Sequence, residues 1–253
     1  MSASQDPGVL EGVVLAPCRT LKLPTVGREC SGTAQRALSE GWHPLTYLHT
    51  LLDAEVALRS DRAVERRLRA ARLPARKTLA PFDGRRPHGL DRARVEDRAR
   101  CAWVPSARHI VFLGPVGTAK THLASALAIE AIRHGHTALF PRAADRVRTL
   151  TESRDSRSLG KFHERLRRVQ VLVVDELGFV PFDKAGGELL FDVFAARPER
   201  SATIVTSNLA FSEWGRVFGD DTRTAALLDR LAQHAEVLVT RGQGARGPAG
   251  GAA

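Results

Sequence analysis

The chemistry available to this chain is concentrated in a glycine-rich turn at residues 114–121. The turn lies between an apolar run, His109 to Leu113, and a segment of helical periodicity, Leu123 to Ile132. Such a turn holds phosphate groups with its backbone N–H groups and with the positive end of the helix. The residues predicted to cradle a nucleoside triphosphate are Gly114, Pro115, Val116, Gly117, Thr118, Ala119, Lys120 and Thr121.

Two side chains of this turn suit nucleotide chemistry. The Lys120 ammonium would contact the β- and γ-phosphates, and the Thr121 hydroxyl would bind Mg²⁺. Ala119 stands where the usual pattern has glycine, so its Cβ intrudes next to the phosphate, although alanine also favours the helix that begins there. We expect weaker affinity or slower turnover rather than loss of nucleotide binding. The alternative is a chance glycine turn without a ligand.

Acidic and amide side chains follow two further apolar runs. Residues 169–174 precede Asp175 and Glu176, and residues 202–206 precede a Ser-Asn pair that includes Asn208. Asp175 would hold the Mg²⁺ shell, Glu176 would orient and polarise an attacking water, and Asn208 would contact the γ-phosphate and that water. The alternatives are an acidic turn after a core strand and, for Asn208, an ordinary Asx turn.

Alternating strand and helix patterns predict an α/β fold. Near-continuous Val and Leu indicate strands buried on both faces, as in a parallel sheet with crossover helices. The predicted strands lie at about 109–113, 136–140, 170–174, 202–206 and 237–239. Open sheets of this type bind ligands at the carboxyl ends of their strands, where the acidic pair stands.

Upstream of this core the patterning is helical. A helical period begins at Pro44 and stops near Pro74, and a short helix is predicted from Leu90 to Trp103. We divide the chain into a disordered leader, a basic helical N-terminal module, a core and a flexible Gly-rich tail. These segments cover residues 1–20, 21–104, 105–241 and 242–253.

Positive charge is concentrated in one segment. The chain has a net charge of +10, and residues 59–108 hold 15 basic and 6 acidic residues, an excess of nine. Such a concentration predicts a surface for the phosphate backbone of DNA, and the alternative is a solvated helix face. The residues predicted to contact DNA are Arg66, Arg67, Arg69, Arg72, Arg76 and Lys77. A second basic stretch, residues 154–168, is either a second DNA-facing element or a solvated helix, and we favour the solvated helix.

Composition excludes several classes of protein. The 253 residues suffice for one α/β domain and a small extra module. No apolar run is long enough to span a membrane, and the N-terminus lacks the pattern of a signal peptide. The three cysteines are widely spaced, which argues against a zinc site or disulfides. We therefore expect a cytoplasmic protein with no membrane partner.

His122 and His134 lie on the predicted helix after the turn without ligand partners in the sequence pattern, so we expect no catalytic or metal role for them.

Several stretches together resemble the IstB-type transposition helper ATPases, which are AAA+ P-loop proteins related to DnaC-type helicase loaders. The resemblance covers roughly residues 21 to 246, and its most particular stretch is Phe-Ser-Glu-Trp-Gly at 211–215. The other matching stretches are 21–25, 66–74, 114–121, 171–178, 206–209, 217–220 and 227–231.

The resemblance implies an ATP-dependent protein that assembles on double-stranded DNA as a homo-oligomer and helps the transposase of the same element. By matching position, Arg230 would be an arginine finger that reaches the γ-phosphate bound by a neighbouring subunit. The alternative for Arg230 is a solvated arginine paired with Asp229 or Glu236. Arg246 falls where the family has a second sensing arginine.

The chain also departs from the family pattern. Residues 26–40 contain glycine and serine where the family continues a helix, and the Gly-rich end is altered. Together with Ala119, these departures are typical of a divergent copy. Two rival functions therefore stand beside the first: a helicase loader of the same fold, and a catalytically degenerate DNA-binding remnant.

Overall fold

The apolar runs form a five-stranded parallel sheet. The strands are β1 (His109–Leu113), β2 (Ala138–Leu139), β3 (Val171–Leu177), β4 (Ala202–Ser207) and β5 (Ala235–Val239). Their order is β2-β3-β4-β1-β5, and every neighbouring pair is parallel. The side chains of Val171 to Val174 are all buried, as expected for an interior strand of a parallel sheet. The predicted α/β fold with a parallel sheet is confirmed.

The structure is a computed structural model that describes residues 7–79, 90–140, 164–178, 194, 201–215, 225 and 234–241. The chain divides into two compact units, Met1–Arg66 and Arg67–Ala253, which we call the N-terminal unit and the sheet unit. The predicted boundaries of module, core and tail stay predictions, and the tail at 242–253 lies outside the described residues. Within the described ranges, no helix combines the length and the apolar character that crossing a bilayer requires.

Two helices of the sheet unit pack behind the strands. Helix α5 (Lys120–Arg133) follows β1, and its residues Leu123 to Ile129 are all buried. Helix α4 (Arg92–Ala99) begins at Asp91, whose side chain accepts a hydrogen bond from the Ala93 N–H. These helices and the sheet form a dense core that holds the strand ends in fixed positions.

The N-terminal unit is helical and contains α1 (Pro7–Thr20), α2 (Pro24–Ser39) and most of α3 (Pro44–Ala71). The expectation of a disordered leader is wrong for residues 7–20. Residues 26–39 are helical in spite of their glycines and serines. Gly27 packs closely on α1, since a Cβ there would lie 3.3 Å from Leu15 Cδ2. Helix α3 begins at Pro44, as predicted.

The buried Glu55 of α3 caps the start of α2. Its Oε2 accepts hydrogen bonds from the Thr25 N–H at 2.7 Å and the Val26 N–H at 3.3 Å, and its Oε1 accepts one from Arg59 Nε at 2.9 Å. Burial alone would raise the pKa of Glu55, but these hydrogen bonds outweigh it and the pKa is lowered. An ionised carboxylate therefore satisfies two N–H groups at the α2 N-terminus.

Candidate functional site

The glycine-rich turn connects the end of β1 to the start of α5 and requires glycine at its first position. Gly114 has a φ of 145°, and its N–H donates to the Ser207 carbonyl at 3.2 Å. A Cβ on Gly114 would overlap both Oγ1 and the carbonyl oxygen of Thr240. Pro115 and Val116 are exposed, whereas Thr118 is buried. The turn therefore packs on the sheet through its glycine and presents its tip to solvent.

Ala119 adopts a left-handed conformation, with φ 65° and ψ 17°, immediately before α5. Its carbonyl accepts the Leu123 N–H at 3.0 Å, so Ala119 is the cap of the helix and not its first residue. The expectation that the helix propensity of alanine matters at this position is therefore wrong. Glycine suits the site because of its backbone conformation, and a Cβ in this region costs roughly 1–2 kcal/mol.

The Lys120 side chain lies against the turn. Its Nζ donates to the Gly114 carbonyl at 2.7 Å and to the Pro115 carbonyl at 2.6 Å. Burial lowers the pKa of Lys120 from its ordinary value of 10.5, while the nearby carboxylates of Asp175 and Glu176 act in the opposite direction. A cation thus lies beside the backbone N–H groups that the turn offers to an anion.

The two residues predicted to bind Mg²⁺ are in contact. Thr121 Oγ1 donates to Asp175 Oδ1 at 2.9 Å, although the two residues are 54 positions apart. Asp175 is half-buried near the carboxyl end of β3. Hydroxyl and carboxylate oxygens are the donors that Mg²⁺ prefers, so this pair fits a magnesium ion held between protein and phosphates.

Glu176 is exposed and has a φ of 56°, which is unusual for a residue other than glycine. It lies at an irregularity between Val174 and Leu177, where the register of β3 against β4 shifts. Its N–H donates to Thr206 Oγ1 at 2.9 Å. The bulge turns this carboxylate toward solvent at the strand end while the neighbouring apolar residues stay buried.

Sequence reasoning missed the role of Thr206. Its buried hydroxyl donates to Asp175 Oδ1 at 2.5 Å and accepts the Glu176 N–H, so one side chain holds both acidic residues. No sequence signal identifies it, because threonine is an ordinary residue in a buried strand.

Asn208 follows β4 and its side chain is exposed. The turn at this point is formed by Ser207, whose Oγ donates to the Leu177 carbonyl at 2.7 Å and accepts the Leu209 N–H at 3.0 Å. Asn208 therefore does not make the local turn, and its predicted contact with nucleotide stays a prediction. Arg230 and Arg246 lie outside the described residues.

Five of the six residues predicted to contact DNA are exposed, and Arg67 is half-buried. The end of α3 is fixed within the sheet unit, because the Ala71 carbonyl accepts the Phe140 N–H at 2.8 Å and the Ala70 carbonyl accepts Arg165 Nη2 at 2.9 Å. We call the six residues predicted to contact DNA the basic strip: Arg66, Arg67, Arg69, Arg72, Arg76 and Lys77.

His122 makes a structural contact. Its Nε2 donates to the Thr78 carbonyl at 2.9 Å, so the chain just beyond the basic strip is joined to the first turn of α5. His122 follows Thr121 directly, which places this contact next to the predicted Mg²⁺ ligand.

A family model described as "IstB-like ATP binding protein" matches residues 16–249. The chain belongs to this family. A relative from Geobacillus stearothermophilus, named insertion sequence IS5376 putative ATP-binding protein, is 33% identical over 232 residues, which are 90% of this chain and 91% of the relative. The IS21 putative ATP-binding protein of Pseudomonas aeruginosa is 34% identical over 226 residues, 89% of this chain and 85% of that protein. The predicted IstB-like membership is confirmed.

Several solved structures share the fold of this IstB-like chain. The crystal structure of DnaI superimposes with a TM-score of 0.56 at 19% identity over 68% of this chain and 91% of DnaI. AMPPCP-bound DnaA from Aquifex aeolicus gives a TM-score of 0.55 at 20% identity, covering 67% of this chain and 51% of DnaA. The predicted P-loop architecture of AAA+ type, with helices preceding the sheet, is confirmed.

Proposed function

We propose that this IstB-like chain binds and hydrolyses ATP with Mg²⁺ and acts as an ATP-dependent helper of DNA transposition. The observation that carries the proposal is the contact of Thr121 with Asp175 beside a glycine-rich turn that contains Lys120. The cation and the hydroxyl come from adjacent residues of the turn, and the carboxylate comes from a strand 54 positions further along the chain. That arrangement suits the phosphates of a nucleotide and one divalent ion.

Each residue of the site has one task in this proposal. Lys120 and the backbone N–H groups of the turn bind the phosphates, and Thr121 and Asp175 hold Mg²⁺. The ion would neutralise charge on the phosphate oxygens during transfer. Glu176 orients the attacking water and accepts its proton, a general-base role that the exposed strand-end position allows. Asn208 contacts the γ-phosphate and that water.

Hydrolysis in this proposal requires more than one copy of the chain. In the site described above, the turn contributes one cationic side chain, Lys120, which lies near the carboxylates of Asp175 and Glu176. Charge that develops on the γ-phosphate is commonly stabilised by an arginine supplied from another subunit, and Arg230 has the matching position for that role. We therefore propose a homo-oligomer in which each ATP lies between neighbouring subunits.

Duplex DNA and a transposase are the proposed partners. The basic strip offers guanidinium and ammonium groups to the phosphate backbone without reading bases. The names of the relatives place them in insertion sequences, and this supports the transposase of the same element as the protein partner.

Calorimetry with Mg·ATP tests nucleotide binding. We expect measurable affinity for the unmodified chain and loss of at least about tenfold in Lys120→Ala, because a charge-assisted contact is removed. Arg133→Ala is a matched control, since Arg133 is on the same helix and pairs with Glu130 at the surface. No binding at millimolar Mg·ATP would reject the enzyme and leave the alternative of a DNA-binding protein without ATPase activity.

The salt dependence of duplex binding tests the DNA surface. Neutralising Arg66, Arg67, Arg69 and Arg72 together should reduce the log–log slope by up to about four, since each phosphate contact contributes about 0.9. The matched control neutralises four arginines that pair with a carboxylate elsewhere: Arg28, Arg92, Arg133 and Arg168. An unchanged slope in the first variant would move the DNA surface to another part of the chain.

A further inference from the structure

A buried threonine behind the phosphate-binding turn has no role in the chemistry proposed above. Thr240 directly follows β5 and is 1% exposed. Its N–H donates to the Leu113 carbonyl at 2.7 Å, and its Oγ1 lies 3.1 Å from the same oxygen. The residue is thus attached to the last position of β1, immediately before the turn begins.

A second contact joins Thr240 to the turn itself. Its hydroxyl lies 2.6 Å from the hydroxyl of the buried Thr118, and Thr118 Oγ1 donates to the Pro115 carbonyl at 2.8 Å. Each hydroxyl also lies within hydrogen-bond distance of a main-chain carbonyl, that of Pro115 for Thr118 and that of Leu113 for Thr240, and either hydroxyl can donate in the bond between the two threonines. The result is a hydrogen-bonded chain that joins the Leu113 carbonyl, Thr240, Thr118 and the Pro115 carbonyl.

The approach of the turn to Thr240 is too close for any other first residue. A Cβ at position 114 would overlap Thr240 Oγ1 and its carbonyl oxygen, so glycine permits this contact. Thr240 therefore contacts the turn at two positions: Gly114 by direct packing and Thr118 by a hydrogen bond.

We propose that Thr240 is a positioning residue for the phosphate-binding turn, a role that rests on the proposed function. Thr118 holds the Pro115 carbonyl, and the bond between the two hydroxyls holds Thr118 against Thr240, so the chain of hydroxyls fixes the path of the turn. The Pro115 carbonyl also accepts a hydrogen bond from Lys120 Nζ. When Lys120 contacts a phosphate instead, the Thr118 hydroxyl remains as a partner of that carbonyl, and the turn keeps its shape.

The test compares Thr240→Val with Thr240→Ser, measuring the Kd for Mg·ATP by calorimetry on the full chain. Valine has the shape of threonine without the hydroxyl, so Thr240→Val should weaken binding by about three- to tenfold, the range for one lost hydrogen bond. Serine restores the hydroxyl, and Thr240→Ser should bind within about twofold of the unmodified chain. Thr203→Val, a buried threonine of β4, is the matched control and should leave the Kd unchanged.

A double-mutant cycle with Thr118→Val adds a readout that a merely structural residue would not move. If the two hydroxyls act as one chain, the loss of binding in the double variant is smaller than the product of the two single losses. Thr118→Val also provides a test if Thr240→Val does not fold, because it breaks the same chain from the other side.

The outcomes separate this inference from the proposed function. An unmodified chain that fails to bind Mg·ATP contradicts the proposed function itself. If that chain binds and Thr240→Val binds equally well, the inference is wrong. Equal weakening in Thr240→Val and Thr240→Ser would also overturn it, because the hydroxyl would then not be the group that matters.

Discussion

Two turns of the candidate site each contain a residue other than glycine with a positive φ, and the two residues differ in what their side chains can do. Ala119 has φ 65° before α5, and Glu176 has φ 56° near the end of β3. Alanine contributes a methyl group that no step of the proposed reaction uses. Glutamate contributes the carboxylate proposed to activate water.

The surroundings of the two residues differ as well. The N–H of Glu176 has a dedicated partner in the buried Thr206 hydroxyl, which also holds Asp175. Ala119 caps α5 with its backbone carbonyl alone, since its side chain makes no capping hydrogen bond. In the proposed reaction, the strained backbone at Glu176 positions a side chain that takes part in the chemistry, whereas the strained backbone at Ala119 does not.

The largest expected effect is at Glu176. Glu176→Gln should keep Mg·ATP binding but lower turnover by at least about 100-fold, because the general base is removed. Glu176→Gly should lose turnover equally while unfolding at a higher denaturant concentration, because glycine tolerates the positive φ. ATPase assays and urea unfolding measure the two properties. Turnover that survives in both variants would remove Glu176 from the reaction.

Thr206→Val should have the next largest effect. The substitution leaves the Glu176 N–H unpaired and removes a donor to Asp175, and we expect turnover to fall by about tenfold. Steady-state ATPase kinetics at saturating Mg·ATP check this expectation, with Thr203→Val as the control in the same strand. Equal turnover in the two valine variants would mean that Thr206 does not position the acidic pair.

Ala119→Gly should produce a smaller change of opposite sign. Removing the Cβ takes away a methyl group next to the predicted phosphate site and lets the backbone of residue 119 adjust to the bound phosphates. We expect a rise in affinity for Mg·ATP of up to about fivefold, measured by calorimetry. Glycine is thus expected to raise the affinity for Mg·ATP at position 119 and to abolish turnover at position 176. A fall in affinity for Ala119→Gly would break the comparison.

The smallest effect near neutral pH concerns Lys120. Its pKa is lowered mainly by burial, so the ammonium is complete below that lowered pKa and is lost as the pH rises through it. Affinity for Mg·ATP should therefore decline on the alkaline side, starting below the ordinary lysine value of 10.5. Lys120→Arg, which stays charged, should bind without this decline. A decline that is the same in both proteins would exclude Lys120 as its cause.

Much of the sheet unit follows from the sequence. Near-continuous Val and Leu runs place strands at the observed positions because a strand buried on both faces has few alternatives. Asp175, Glu176 and the glycine-rich turn can be identified from the sequence, because their residue types and spacing match the pattern expected for binding a nucleotide with Mg²⁺. The contacts of Thr206 and Thr240 could not be predicted, since a hydroxyl in a strand gains its role from neighbours 30 to 127 positions away.

The N-terminal unit was harder to predict. Helix α1 has an irregular apolar pattern, and the glycines of α2 indicate a break where Gly27 instead permits helix packing. The left-handed backbone of Ala119 was missed for a related reason: propensity describes residues within helices, and Ala119 lies one position before one. In both places, residue propensities taken from the local sequence describe the observed conformation poorly.

DNA-stimulated ATP hydrolysis by the unmodified chain and by Ala119→Gly, measured side by side with Glu176→Gln as the blank, tests the central claim most directly. The account predicts turnover in the unmodified chain, turnover up to about fivefold higher in Ala119→Gly, and none above background in the blank. Absence of turnover in both the unmodified chain and Ala119→Gly, with the oligomer assembled on duplex DNA, would contradict it.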